Sequence, residues 1–254
     1  MNRRAFVMKE LGLSPVWVRR TSLNAAAPAK AAASVRAQAN AAAGVAPDVS
    51  AAPVAGRATQ IQDMDWAQLK SSVSACTSCV LHKARKQAVL GVGDERAEWL
   101  FVGEGPGAEE DERGEPFVGQ AGKLLDNMLA AIALKRGSNV YIANVVKCRP
   151  PGNRTPEPAE AQACEPYLAR QIELIRPRLI IALGKVAAQN LLGVEATLAS
   201  LRGRVHQYRG TPLIVTYHPA YLLRALAEKS KSWEDLCFAV DTMQALKQQQ
   251  SAPS

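Results

Sequence analysis

Two cysteines sit in the run Cys76-Thr77-Ser78-Cys79, and two more follow at Cys148 and Cys164. A thiol pair at this spacing reaches one metal from a single turn. Taken alone, it fits zinc, an iron–sulfur cluster or a redox dithiol. Cys148 follows the apolar stretch Val140–Val146 and opens the proline-rich loop Cys148-Arg149-Pro150-Pro151-Gly152-Asn153-Arg154. Cys164 falls in a helix predicted to start near Pro156. Four ligands from three segments would pin an N-terminal helix to this loop. The plainer reading of Cys148 and Cys164 is two buried thiols, and Cys237, in an apolar helical context, fits that reading well.

A second concentration of chemistry lies between Leu100 and Leu125. The apolar run Glu98–Val102 reads as a short buried strand. It breaks into Gly103, Gly105 and Gly107 with Pro106 among them, a turn that lets backbone approach a ligand closely because glycine has no Cβ. Glu109, Glu110, Asp111 and Glu112 follow, then Phe117 in a loop where nothing local buries it, then a helix starting near Gly119. A strand end, a glycine turn, acids and a loose aromatic together describe a pocket at the C-terminal edge of a parallel sheet. A dinucleotide reading of the glycines fails, because the third falls one position early and the acids would repel a pyrophosphate.

The elements needed to position these groups recur along the chain. Residues 61–75 read as one helix around Met64, Trp66 and Leu69. Strands are predicted at Glu98–Val102, Val140–Val146, Arg178–Leu183 and Pro212–Tyr217. A helix to Leu192 follows the third strand, and a last helix spans Trp233 to Lys247. Strands alternating with helices predict an α/β fold, a three-layer α/β/α sandwich on a central four-stranded parallel sheet. Its strand ends put Gly103–Gly107, Asn144, Gly184 and His218 on one edge.

The predicted organisation is a short helix or peptide over 1–22, a flexible Ala/Pro-rich linker over 23–60, a folded α/β domain over 61–245 and a disordered tail over 246–254. Leu11, Leu13, Val16, Trp17 and Val18 make residues 1–22 an apolar plug, self-packing or partner-binding. The linker lacks the aromatics and large aliphatics that offset ordering entropy. The net charge is +8 over 254 residues, but residues 1–60 hold eight basic side chains and two acids, so most of the excess lies there. Overall basicity is therefore weak evidence for nucleic acid. No apolar run approaches the roughly 20 residues of a membrane span. Arg3-Arg4-Ala5-Phe6 resembles the start of a twin-arginine signal, but Lys9, Glu10, Arg19 and Arg20 interrupt the apolar stretch that should follow, so export is rejected. Five cysteines in an unexported chain favour metal or redox use over structural disulfides.

Read together over about residues 65–240, the pieces resemble the family 4 uracil-DNA glycosylases, the iron–sulfur branch of their superfamily. The resemblance rests on Cys76-x2-Cys79, on Gly103-Glu104-Gly105-Pro106-Gly107 running into Pro116-Phe117-Val118-Gly119, on Asn144-Val145-Val146-Lys147-Cys148-Arg149-Pro150-Pro151, on Cys164 and on His218-Pro219-Ala220. It implies a structural [4Fe–4S] cluster on Cys76, Cys79, Cys148 and Cys164, with zinc as the alternative that ligand identity leaves open. It implies that uracil is flipped out of DNA and stacked on Phe117. Asn144 would then pair with its O4 and N3–H edge, and His218 would donate to O2 as charge develops. Glu104, Gly105 and Pro106 would lie against the base and sugar.

The best-known branch of the superfamily has a water-positioning aspartate where this chain has Gly105. Glu104 is the substitute, with Asp111 second. Glu109–Asp111 is the wall expected to exclude the thymine methyl. Relatives that trap their product covalently carry an extra His-containing loop after the Asn strand, which the Cys148 loop lacks, so ordinary turnover is expected. Leu222 and Leu223 would wedge into the gap left by the base. Lys83, Arg85, Lys86, Lys147, Arg149 and Arg224 would neutralise phosphates. His82 and His206 read as structural or surface groups.

Residues 1–22 also resemble the N-terminal segment by which the psi subunit of bacterial DNA polymerase III holds its chi partner. That implies the chi subunit or another replication protein as a partner. The protein itself is expected to be a monomer in the bacterial cytoplasm, at the nucleoid when bound to DNA. The rival reading is a non-catalytic iron–sulfur module docked on the replication machinery.

Overall fold

The computed structural model describes residues 52–251. The calls on residues 1–22 and on most of the linker lie outside them. Three apolar runs, Trp99–Gly103 (β2), Val140–Asn144 (β3) and Leu179–Leu183 (β4), are buried at every position. Continuous burial without alternation marks strands covered on both faces. With Thr211–Thr216 (β6) they form a parallel core in the order β3-β2-β4-β6. Alternate residues divide between two cores: Leu100, Val102, Ile180 and Ala182 face one, and Trp99, Phe101, Leu179 and Ile181 face the other.

The sheet has six strands rather than the predicted four. Val92–Gly93 (β1) and His206–Tyr208 (β5) add antiparallel edges beside β3 and β6. At two and three residues they are too short to show a period in sequence. The β5–β6 hairpin turns through Arg209 and Gly210, both at positive φ.

Helices Ala52–Gln62 (α1) and Trp66–Ser74 (α2) precede the sheet. The single helix predicted over 61–75 is two, because the Asp65 carboxylate accepts from Gln68 N while Gln68 Oε1 accepts from Asp65 N, a capping box that starts a new helix. Residues 52–60, assigned to the linker, are therefore helical. Ala108–Arg113 (α3) and Gln120–Ala131 (α4) follow β2. Pro158–Ile175 (α5) follows β3, Lys185–Leu192 (α6) follows β4, and Leu198–Leu201 (α7) precedes β5. After β6 come Pro219–Leu222 (α8) and Lys229–Ser251 (α9). The last helix is longer than predicted and takes up residues 246–251, which had been assigned to the tail. Among the described residues no helix is long and apolar enough to cross a membrane.

Candidate active site and cysteine pocket

The C-terminal ends of β2, β3 and β6 open on one cleft of about 490 Å³. Glu104, Gly105, Pro106, Phe117, Asn144 and His218 all line it, so the six residues expected to grip the base share one space. Asn144, the last residue of β3, is 2% exposed, and its Oδ1 accepts no hydrogen bond among the described residues. An orphaned buried acceptor is costly unless a ligand meets it. A Cβ built on Gly103 would fall 2.5 Å from both that Oδ1 and the Cζ of Phe117, so amide and ring tip are no more than twice that apart. Only glycine at 103 leaves room for both.

Phe117 is not the loose aromatic its loop suggested. It is 6% exposed and packs into the core behind it. Its backbone sits at φ 56°, a region a bulky residue enters only when its surroundings impose it. Arg136 imposes it by donating to the carbonyls of Pro116 and Phe117 at 2.9 and 2.8 Å. Gly122 completes the clamp, since a Cβ there would lie 1.8 Å from the Phe117 carbonyl oxygen. Gly122→Ala is therefore expected to lower stability by about 1–3 kcal/mol, as overpacking does. Equilibrium denaturant unfolding checks this.

The ring of His218 lies 5.5 Å from that of Phe117, tilted by 31°. His218 caps α8 by accepting the Ala220 N–H at Nδ1, 3.1 Å away. An accepting Nδ1 assigns the proton of the neutral ring to Nε2. Burial, reinforced by Arg224, pushes the imidazole pKa down to about 4, against a weaker opposing pull from Glu110. His218 is therefore a neutral donor. Burial raises the Glu104 carboxyl above its ordinary range, while a hydrogen bond with Thr155 across the cleft opposes the rise. Glu110 also lines the cleft, and its carboxylate accepts from Gly107, Val118 and Gly119 N–H groups, holding both ends of the loop that presents Phe117. Sequence reading assigned Glu110 only to a wall. The local signal is its N3 position in a capping box after the Gly107 N-cap, but the reach to Val118 and Gly119 has none.

Cys76, Cys79, Cys148 and Cys164 line one small second pocket, with His82, Arg85, Lys147 and Tyr167 around them. All four thiols are free. Arg85 donates to the Cys148 sulfur at 2.9 Å, the Lys147 N–H to Cys164 at 3.3 Å and Arg57 of α1 to Cys76 at 3.7 Å. Burial pushes the Cys164 thiol up to about 12. Burial also acts to raise Cys76, but hydrogen bonds involving Ser78 and Tyr167, together with the charge of Arg57, leave it below its ordinary value. Donors and cations aimed at sulfur are the surroundings of an anionic ligand set. No three Cys, His, Asp or Glu side chains among the described residues form a group able to hold a single metal ion. His82, read as structural, donates from Nδ1 to the Cys79 carbonyl (2.7 Å) on the rim of this pocket. His206 bonds the Leu201 carbonyl and is structural, as expected.

The family model of the uracil DNA glycosylase superfamily matches residues 90–237. A type-4 uracil-DNA glycosylase of Archaeoglobus fulgidus is 50% identical over 159 residues, 59% of this chain and 79% of that protein. One of Pyrobaculum aerophilum is 46% identical over 181 residues (68% and 92%), and one of Thermotoga maritima 47% over 154 residues (60% and 80%). The chain belongs to the type-4 branch of the uracil DNA glycosylase superfamily.

Several expected contacts of this type-4 chain are corrected by burial. Leu222 is 1% exposed and packs with Met128, Tyr217 and Leu236, so it is core and not a wedge. Helical rotation in α8 turns it inward and leaves Tyr221 and Leu223 outward, each 42% exposed. Lys147 is 1% exposed and has no access to phosphate. Arg149 is tied to Asn153 at 2.8 Å, and Arg85 to Cys148 and the Ser74 carbonyl. Arg224 is exposed at the cleft mouth. Lys83 is exposed, and Lys86 pairs with Glu112. Asp111 is 2% exposed and accepts from the Lys86 N–H at 2.9 Å, so it fastens α3 to the chain before β1 and cannot position water. Of the expected thymine wall, only Glu110 lines the cleft of the glycosylase.

Proposed function

We propose that this uracil-DNA glycosylase grips an extruded uracil between the Phe117 ring, the Asn144 amide and the His218 imidazole, and hydrolyses its bond to deoxyribose. The buried, unpartnered Oδ1 of Asn144 beside Phe117 carries this reading. Uracil offers N3–H to that oxygen and takes the amide N–H at O4, whereas cytosine presents an acceptor at N3 and a donor at C4. Stacking on Phe117 adds about 1–3 kcal/mol per base.

In the reaction the C1′–N1 bond breaks and its electron pair leaves with the base. Negative charge spreads to uracil O2, where the neutral Nε2–H of His218 donates to it. A preorganised donor of this kind acts without first transferring its proton. Glu104 orients the water whose oxygen bonds to C1′; that water keeps one proton as the new hydroxyl and loses the other to solvent, from which the released uracil anion takes one. Tyr221 and Leu223, in place of Leu222, are the apolar groups placed to fill the gap in the duplex, and Arg224 meets a phosphate. Incubating the protein with a uracil-containing oligonucleotide tests the reading. Free uracil and an abasic strand are expected, and intact DNA would refute it.

A [4Fe–4S] cluster held by Cys76, Cys79, Cys148 and Cys164 suits four thiols spread around one pocket and surrounded by donors and cations. Its contribution is structural: it ties the chain after α2, the Cys148 loop and α5 together. Cys148→Ala is expected to abolish the visible absorption of the purified protein and lower its melting temperature, as loss of a structural metal does. Iron and sulfide analysis of the wild type separates a cluster from zinc. For residues 1–22 we propose docking on the chi subunit or another replication protein, supported by their apolar and arginine pattern alone. Co-elution of the full chain with that subunit, lost on deletion of these residues, tests it.

A further inference from the structure

Lys147 is the one buried lysine among the described residues, 1% exposed. A buried ammonium is retained only where hydrogen bonds and opposite charge compensate it. Its Nζ donates to the backbone carbonyl of Asn144 at 2.8 Å and to Gln171 Oε1 at 2.5 Å. Gln171, 0% exposed, is fixed in turn by donating to the Leu90 carbonyl (3.0 Å) and the Tyr141 hydroxyl (3.3 Å). The Lys147 N–H reaches the sulfur of Cys164. The side chain therefore loops back over residues 144–147 and closes on the residue whose amide faces the cleft. Backbone bonds from Val145 to Gly103 and from Val146 to Glu104 hold the same turn from the β2 side. An amide that must read a base edge needs its Cα and carbonyl plane fixed, and a 1 Å error in such a site costs about a hundredfold in rate.

We propose that Lys147 is a positioning residue for uracil recognition, holding the Asn144 backbone so that its amide meets the base, and that it links this residue to the cysteine pocket through the same turn. The inference rests on the uracil reading of the cleft. Lys147→Met keeps length and removes the donor. It is expected to lower single-turnover uracil release about a hundredfold. It should weaken binding of uracil DNA while leaving affinity for abasic DNA, which has no base for Asn144 to hold, within about twofold, the scatter expected of a group that makes no contact.

The deciding measurement is a double-mutant cycle. In an Asn144→Ala background Lys147→Met should cost almost nothing further, because its effect passes through that amide. Full additivity, or equal loss of affinity for uracil and abasic DNA, would overturn the proposal. So would a rate loss that merely tracks lost visible absorption or a fallen melting temperature. Should Lys147→Met not fold, Gln171→Met, which removes the acceptor that orients Nζ, is expected to give the same non-additivity at smaller amplitude, and additivity there overturns it equally. A wild type that releases no uracil refutes the reading of the cleft itself. A wild type that does, alongside an undiminished Lys147→Met, refutes only the role of Lys147.

Discussion

Asn144→Ala is expected to slow uracil release about a thousandfold with little loss of fold. In the proposed complex the amide makes two hydrogen bonds to the base, at least one of them to an atom that gains charge as the bond breaks. Each such bond is worth about 1.5–3 kcal/mol when a charged group takes part, so a loss of about a thousandfold is the middle of the range. Stability should hold, because Oδ1 has no partner to lose among the described residues and its removal deletes an orphaned buried acceptor. Single-turnover release and thermal melting measured on the same preparation check both halves. A variant that keeps wild-type rates would show that the amide faces the cleft without reading the base. Asn144→Asp is the sharper companion, since an ionised carboxylate supplies two acceptors and no donor for O4, and selection between uracil and cytosine should fall with it.

His218→Ala is expected to cost about a hundred- to thousandfold in the chemical step, the range for removing one donor to a developing anion. Its pH behaviour distinguishes a neutral donor from an acid. With the ring pKa pushed down to about 4 by burial and Arg224, the wild-type rate should show no inflection near 6.5, the ordinary histidine value. It should fall only as pH approaches 4. At that point Nδ1 gains a proton and faces the Ala220 N–H donor to donor, so the cap of α8 is lost with the correct tautomer. The same shift fixes a stability trend. Between about 4 and 6.5 the unfolded chain binds a proton here that the native chain does not, so the contribution is complete above 6.5 and is lost as pH falls through 4. A rate profile with an inflection near 6.5 would refute the neutral donor. In His218→Ala the part of the acid-side stability loss due to this group should vanish.

Replacing two residues of the cleft and two of its supports tests different layers of the same construction. In the proposed complex Asn144 and His218 meet the base, whereas Lys147 and Gly122 act through backbone that carries Asn144 and Phe117. The rival expectation of a non-catalytic docking module loses its footing in the cleft, where a recognition amide, a neutral donor and a carboxylate converge with the aromatic ring.

The sequence determined the chemistry-bearing positions. Glycines in a strand-end turn, an Asn at the end of an apolar run, a His before Pro and four cysteines at informative spacing can be found without coordinates, because strand ends and turns are local features of backbone and composition. It also determined the α/β character, since runs such as Leu179–Leu183 are apolar throughout. Tertiary structure alone decided how side chains are disposed. Lys147 reads as a surface cation until α5 brings Gln171 across it. Leu222 reads as a wedge until α8 is rotated onto Met128 and Leu236. Phe117 reads as loose until Arg136 and Gly122, distant or silent in sequence, clamp its backbone. The two edge strands follow the same rule: they exist because β3 and β6 offer them hydrogen bonds, and segments of two or three residues have no periodicity of their own. Burial and long-range pairing are properties of the folded chain, and they decided which predicted groups face the cleft.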